Sequence, residues 1–247
     1  MFLFMNREMT ALEQSVERQL ELGERLATCA EFVREGKISA DIGTDHAYLP
    51  VYLVQKGIVP AAYASDINEE PVKSARKSIA RYGLDEKIIA FTGDGLEKIP
   101  PDEVDDIIIA GMGGDNIAAI LGEAEWLKNP RYRLILQPMS RASRLREFLF
   151  REGFAILSEK AICEADRIYT VICAEYSEIS VEYAEYDIYA GRLDAADPNA
   201  AALLRKQAGI LRSMAEGCAA RGDTAGQEKY RRLAERLIMQ TKGERYE

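Results

Sequence analysis

With one histidine, four cysteines and no apolar run of membrane-spanning length, the chain lacks the parts of several familiar protein classes. Cys29, Cys163, Cys173 and Cys218 never form a Cys-x-x-Cys pair, and His46 alone cannot complete a tetrahedral zinc set, so a metal-free protein is expected. Cys163 and Cys173 are spaced to face each other across a hairpin, but free thiols in a reducing cytoplasm are the better reading. The apolar start, Met1-Phe-Leu-Phe-Met5, is too short for a secretory h-region and no basic segment precedes it. The expected location is therefore the cytoplasm, with no membrane partner. Repeats of solenoid period and low-complexity tracts are also missing.

Positive charge is short overall: 32 basic side chains face 41 acidic ones, a net charge of −9. That balance argues against a nucleic-acid partner until it is divided along the chain. Residues 1–127 hold 12 basic and 23 acidic side chains, 128–151 hold seven and one, 152–196 hold three and ten, and 197–247 hold ten and seven. Phosphates respond to local charge, and the 128–151 stretch is locally cationic.

What is present is a globular composition, 47% apolar and 30% charged over 247 residues, enough for one substantial core and an appendage. Residues 6–20 read as a polar helix and 21–35 as an amphipathic one closing at Gly36. Short β-rich runs at 38–42, 61–66, 87–92, 105–110 and 132–137 then alternate with helical stretches near 47–56, 69–82, 115–122 and 141–152. Such alternation predicts a parallel sheet covered on both faces. Phe154–Cys163 and Ile168–Tyr176 follow in tandem, joined by Glu164-Ala-Asp-Arg167, which predicts a hairpin rather than another crossover. Five parallel strands ending in an antiparallel pair is the layout of class I, Rossmann-like methyltransferases. A tyrosine-rich connector (Tyr183, Tyr186, Tyr189) leads to Asp197-Pro198 and two helices, about 199–220 and 224–241. These predict an antiparallel helical hairpin, or coiled coil, with Leu203, Gln207, Ile210, Leu211, Met214 and Cys218 on one packed face. The domains expected are an extension at 1–20, a catalytic domain at 21–176, and a connector with hairpin at 177–247.

Candidate chemistry sits at the strand ends. Ile38 to Pro50 reads as a strand, a turn at Gly43 and a helix N-terminus with Asp45 as its cap and Pro50 in its first turn. Helix-terminal N–H groups favour a nucleotide-like ligand, while Asp41 and Asp45 disfavour a phosphate and favour hydroxyls and an ammonium group. S-adenosylmethionine fits that description. Asp66, ending the second strand beside Ile67, is placed to bond ribose hydroxyls. Asp94, in Gly93-Asp94-Gly95, can accept from an adenine amino group. Ile109-Ala-Gly-Met-Gly-Gly-Asp115 lets backbone approach a ligand closely at Gly111, Met112 and Gly113. The last stretch also seeds a rival, an NAD-linked oxidoreductase, but it lacks the remaining spaced glycine, and the next strand ends in Gln137-Pro138 rather than an acid.

The run Asp41-Ile-Gly-Thr-Asp-His-Ala-Tyr-Leu-Pro50, with Gly93-Asp-Gly-Leu96, Ile109-Ala-Gly-Met-Gly-Gly114 and Leu134-Ile-Leu-Gln-Pro138, resembles the bacterial tRNA (adenine(22)-N1)-methyltransferase family in order and spacing over about residues 21–176. The resemblance implies a Rossmann-like core, S-adenosylmethionine as donor and tRNA as acceptor, and it agrees with the C-terminal hairpin. Thr44 and His46 then fall among the donor contacts, and Arg25 matches a family position suited to the methionyl carboxylate. Adenine N1 has a free in-plane lone pair, so the enzyme's task is alignment and a negative pocket for a cationic product. N1 lies on the pairing edge, so the base must be unpaired and turned into the site. Tyr48, Pro138 and Met139 are candidates for the base slot, with Asp45 or Gln137 at its edge. Phosphates would meet Lys128, Arg131, Arg141, Arg144, Arg146 and Arg151, with Arg205, Lys206, Arg212, Arg231, Arg232 and Arg236 extending the track. The expected form is monomeric or weakly associating. The other readings are a methyltransferase of this fold acting on another RNA or a small molecule, and a non-enzymatic adaptor using the hairpin.

Overall fold

The computed structural model describes residues 19–179 and 181–243. Most of the helix expected at 6–20 lies outside the described residues; Gln19 and Leu20 carry no regular structure. The strands form a seven-stranded mixed sheet in the order β3-β2-β1-β4-β5-β7-β6, and two compact units divide between Ala110 and Gly111. Among the described residues no helix is long and apolar enough to cross a membrane.

The first unit contains α1 (Glu24–Phe32), β1 (Ser39–Ile42), α2 (Tyr48–Gln55), β2 (Ala62–Asp66), α3 (Glu69–Arg81), β3 (Ile88–Thr92) and the start of β4 (Asp106–Gly113). β1 pairs in parallel with β2 on one side and β4 on the other, and β2 pairs with β3. All four residues of β1 are buried, as expected of a central strand covered on both faces. Leu49, Leu53, Val72, Ala75 and Ile79 from the helices and Ile107, Ile108 and Ile109 from β4 are buried in this unit. Asp106 is buried as well, and Arg34 neutralises it: Nε donates to Oδ1 at 2.7 Å and the Arg34 backbone N–H to Oδ2 at 2.7 Å. The expected 21–35 helix is shorter than its apolar pattern because the chain turns extended at Val33.

The second unit begins in β4 and continues through α4 (Gly114–Gly122), β5 (Arg133–Ser140), α5 (Ala142–Arg151), β6 (Phe154–Glu164), β7 (Arg167–Tyr176), α6 (Glu185–Ala190), α7 (Pro198–Ala220) and α8 (Thr224–Gln240). β6 and β7 form the expected hairpin, closed by Ala165 and Asp166, both at positive φ, the twist two-residue hairpins prefer. Cys163 lies opposite Ile168 and Cys173 opposite Ser158, so the two thiols do not face each other, and none of the four cysteines is in a disulfide.

α7 starts at Asp197, whose carboxylate accepts from the N–H groups of Asn199 and Ala200, and it runs unbroken through Gly209 and Gly217. Its packed face differs from the expected one. Ala200, Leu204, Ala208, Leu211, Ala215 and Cys218 are buried, partly against Ala234 and Leu237 of α8, while Ile210 is 47% exposed. Alanines let the helices approach closely, so the close-packed stripe lies one residue round from the bulkier one. The connector also forms α6, whose six residues are too few to show a helical period.

Candidate active site

The turn after β1 is built from backbone bonds to the neighbouring strand. Gly43, at φ 79°, and Thr44 both donate their N–H groups to the Ser65 carbonyl, at 2.8 and 2.9 Å. Gly93 donates to the Asp66 carbonyl at 3.0 Å. The turns after β1, β2 and β3 are thereby held side by side at the carboxyl edge of the first unit, and Asp41, Gly43, Thr44, Asp66, Ile67, Asp94 and Gly95 come together there. Ile109, opposite Ile42 in the register, brings β4 to the same edge.

Asp45 is not the helix cap. α2 is entered through Ala47 in the left-handed conformation (φ 54°), and the Thr44 hydroxyl accepts the Ala47 N–H at 3.1 Å. The left-handed residue turns the chain before the helix begins, so the helix carries no side-chain cap and the Thr44 bond closes the turn ahead of it. Pro50 occupies the first turn as expected. Freed from capping, Asp45 is exposed, and its carboxylate lies 3.4 Å from His46 Nε2. The His46 ring stacks on Tyr48, with centroids 5.1 Å apart and planes at 17°, and Tyr48 is 43% exposed. The surface at this helix start is therefore an aromatic pair with a carboxylate beside it.

Asp41 is buried, and burial pushes its carboxyl up to about 6, against a hydrogen bond with the Thr44 side chain that pulls it down. Cys29, on α1, lies close enough to feel both the Arg25 guanidinium and the Asp41 carboxylate, and burial drives its thiol up to about 12. Arg25 is thus on the Asp41 side of α1. At the end of β2, Asp66 accepts the Asn68 N–H through Oδ1 at 2.7 Å, while Oδ2 has no partner among the described residues. Ile67 next to it is 59% exposed, an apolar face beside an available carboxylate oxygen. Asp94 is exposed, and Gly95 is at φ 49°.

In the second unit, Gly111 (φ 83°) donates its N–H to Gln137 Oε1 at 3.0 Å. Gln137 is buried, and its Nε2 donates to the Pro138 carbonyl at 3.1 Å. Its amide is engaged at both ends, so it braces Gly111 and the end of β5 rather than reaching for a ligand. Pro138 is buried and Met139 exposed. Gly114 begins α4 where an added Cβ would lie 2.5 Å from the Arg141 carbonyl oxygen, so backbone meets backbone there. Arg141 forms an ion pair with Asp115.

The expected phosphate contacts divide. Arg141 and Arg144 are both 69% exposed, each with an exposed acidic neighbour, Asp115 or Glu147. Arg131 and Arg151 are also exposed; Lys128 is tied to Glu125 and Glu152. Arg146 is a correction. At 3% exposure its guanidinium pairs with buried Glu159 (Nη2 to Oε1, 2.5 Å) and donates through Nη1 to the Ile188 carbonyl at 3.0 Å, so it cannot meet a phosphate. What sequence reasoning missed outright is a cavity in this unit, lined by Met139, Arg141, Tyr169, Tyr189, Lys206 and Gln207 among others. Its walls come from five separate elements, and no local pattern marks them.

Residues 22–172 match the family model described as a methyltransferase domain. Over 175 residues the chain is 40% identical to the tRNA (adenine(22)-N(1))-methyltransferase of Bacillus subtilis (strain 168), covering 71% of this chain and 74% of that protein. The fold matches the crystal structure of the B. subtilis M1A22 tRNA methyltransferase TrmK with a TM-score of 0.79 at 31% identity, covering 89% of this chain and 99% of that one. It also matches Streptococcus pneumoniae Sp1610 in complex with S-adenosyl-L-methionine, with a TM-score of 0.77 at 32% identity, covering 88% and 100% of the two chains.

Proposed function

The chain belongs to the tRNA (adenine(22)-N(1))-methyltransferase family, and on that premise we propose that it transfers a methyl group from S-adenosylmethionine to N1 of adenine 22 in tRNA. The observation that carries the reading is the row of carboxylates at the edge of the first unit: buried Asp41, Asp66 with an uncommitted oxygen, and exposed Asp94.

These residues fit the donor. Asp66 Oδ2 suits a ribose hydroxyl, and the Ile67 side chain offers an apolar face to an adenine ring. Asp94 accepts from the adenine amino group, and the positive φ of Gly95 leaves backbone, not side chain, beside the ring. Asp41 meets the methionyl ammonium, Arg25 its carboxylate, and the Gly43–His46 turn closes over that end. Gly111, Met112 and Gly113 are assigned to the donor through their backbone. When bound, S-adenosylmethionine supplies a methyl group on a positively charged sulfur.

For the acceptor, the His46–Tyr48 stack is the platform on which the unpaired adenine lies. N1 needs no deprotonation, so no general base is assigned; Asp45 stabilises the positive charge that the base acquires. Gln137 acts as a positioning residue, holding Gly111. Arg131, Arg141, Arg144 and Arg151 take phosphates, with the exposed basic residues of α7 and α8 continuing the track. The catalytic domain is taken as 21–176, and the protein as a monomer that works in the cytoplasm without a metal. Incubation with labelled donor and unmodified tRNA, followed by nucleoside analysis, should yield 1-methyladenosine. The product should disappear when adenine 22 is replaced by guanine, and a product at another position or base would refute the assignment.

A further inference from the structure

The second unit holds a cavity of about 130 Å³ between the end of β5, β7 and α7, whereas one water needs only about 10–15 Å³. Its lining carries no carboxylate, although β7 and α6 come from a stretch with ten acidic and three basic residues. Of the three cations in its lining, Arg146 is neutralised by Glu159 and Arg141 is paired with Asp115, while Lys206 has no acidic partner among the described residues. Tyr169 and Tyr189 supply aromatic surface. The side chains of Gln207, Lys206 and Tyr169 form no hydrogen bond or ion pair with any described residue, so one amide, one ammonium and one phenol are available.

A flat ring, a bidentate amide and an ammonium with no acidic partner are what a nucleotide requires. We propose that this cavity is a second nucleobase subsite, which takes an unpaired base of the tRNA other than the methylated adenine. The base lies against the tyrosines, Gln207 reads its edge, and Lys206 and Arg141 meet its flanking phosphates. The groove beyond shares Arg141, Tyr189, Gln207 and Ile210 with the cavity; it adds Arg144 and Lys229, each paired with a glutamate (Glu147, Glu185), and gives the strand a way in. The inference rests on the tRNA reading above and adds where a second contact with the same substrate is made.

The test uses the full-length enzyme and steady-state kinetics. Gln207→Leu keeps volume and helix propensity, and Lys206→Gln removes only charge. Each should raise KM for tRNA about tenfold with kcat unchanged, because the contact is equal in ground and transition states. S-adenosylhomocysteine affinity and melting temperature should match the wild type. Transfer RNAs abasic at single unpaired positions should then identify one position, apart from 22, whose loss raises wild-type KM tenfold but leaves the Gln207→Leu enzyme unaffected. Unchanged KM in both variants overturns the subsite, as does an abasic penalty equal in wild type and Gln207→Leu. A wild type that does not methylate tRNA sinks the underlying reading instead, a result distinct from either.

Discussion

Replacing Arg146 with methionine keeps the aliphatic stem but removes the cation paired with Glu159, whose carboxylate is fully buried. Glu159 receives Arg146 Nη2 at 2.5 Å and Nε at 3.2 Å on both oxygens, the Thr170 hydroxyl at 2.5 Å, and the Arg192 N–H at 3.0 Å. The guanidinium also satisfies the Ile188 carbonyl at the end of α6. Gly191 is fitted against this pair: at φ 65°, an added Cβ would lie 2.1 Å from Glu159 Oε2. The network therefore ties α5, β6, β7 and the α6–α7 segment through one buried charge pair.

Removing one partner of such a pair costs about 3–5 kcal/mol, because the other is left charged and buried. Two neutral donors remain on Glu159, which places Arg146→Met near about 3 kcal/mol, or roughly 6–12 °C in melting temperature for a chain of this length. Glu159→Gln should cost a similar amount, since it strands the guanidinium. The double variant Arg146→Met/Glu159→Leu leaves no buried charge, and should be no less stable than either single variant. Urea unfolding followed by circular dichroism gives all three values from midpoint and slope. Single losses under about 1 kcal/mol, or a double loss equal to the sum of the singles, would refute the argument. A second readout separates this role from RNA binding. Folded Arg146→Met should keep the wild-type salt slope for tRNA, whereas Arg144→Gln should reduce that slope by about one.

Asp41 makes a pH prediction. Its folded carboxyl titrates near 6, against 3.8 for an unburied one, so between those values the native state holds a proton the unfolded chain has lost. Stability should therefore fall as pH rises through that window, by about 3 kcal/mol in all, and level off above it; Asp41→Asn should abolish the slope in unfolding titrations. Because the donor's ammonium needs the ionised form, S-adenosylhomocysteine should bind about tenfold more weakly at pH 5 than at pH 7 by calorimetry. Asp66→Ala should weaken the same ligand by roughly 1.5–3 kcal/mol without changing tRNA affinity, and an unaltered calorimetric Kd would remove Asp66 from the site. Gly114→Ala forces a Cβ to 2.5 Å from the Arg141 carbonyl, and should cost about 1–3 kcal/mol in the same urea assay. With its thiol raised to about 12, Cys29 should resist iodoacetamide at pH 8 while exposed Cys163 is labelled, as read by peptide mass spectrometry.

The parts of the site legible in the sequence are those built from contiguous residues. Asp41 to Pro50, Asp66-Ile67 and Gly93 to Gly95 each follow a short β-rich run, and a parallel sheet necessarily brings such ends to one edge. The bonds that hold them, from Gly43 and Thr44 to Ser65 and from Gly93 to Asp66, are backbone bonds, which any sequence of the right topology can make. That Asp45 does not cap the helix is hidden for a related reason: it depends on Ala47 being left-handed, and alanine gives no sign of that.

Polar residues inside the fold were harder to read, and for one cause. Arg146 stands among arginines, and charge alone groups it with them. Yet it lies one turn before Phe150 and between Leu145 and Leu149, so its own period puts it on the buried face of α5. Gln137 likewise continues the buried run of Leu134, Ile135 and Leu136. In both cases position in the apolar pattern outranked residue type, because a buried polar group is stable once every donor and acceptor is met. Arg146 meets that condition through Glu159 and the Ile188 carbonyl, and Gln137 through Gly111 and Pro138. Gln207, half-buried on α7, has no such partner, and with exposed Lys206 beside it is a polar side chain from which recognition of a ligand is to be expected.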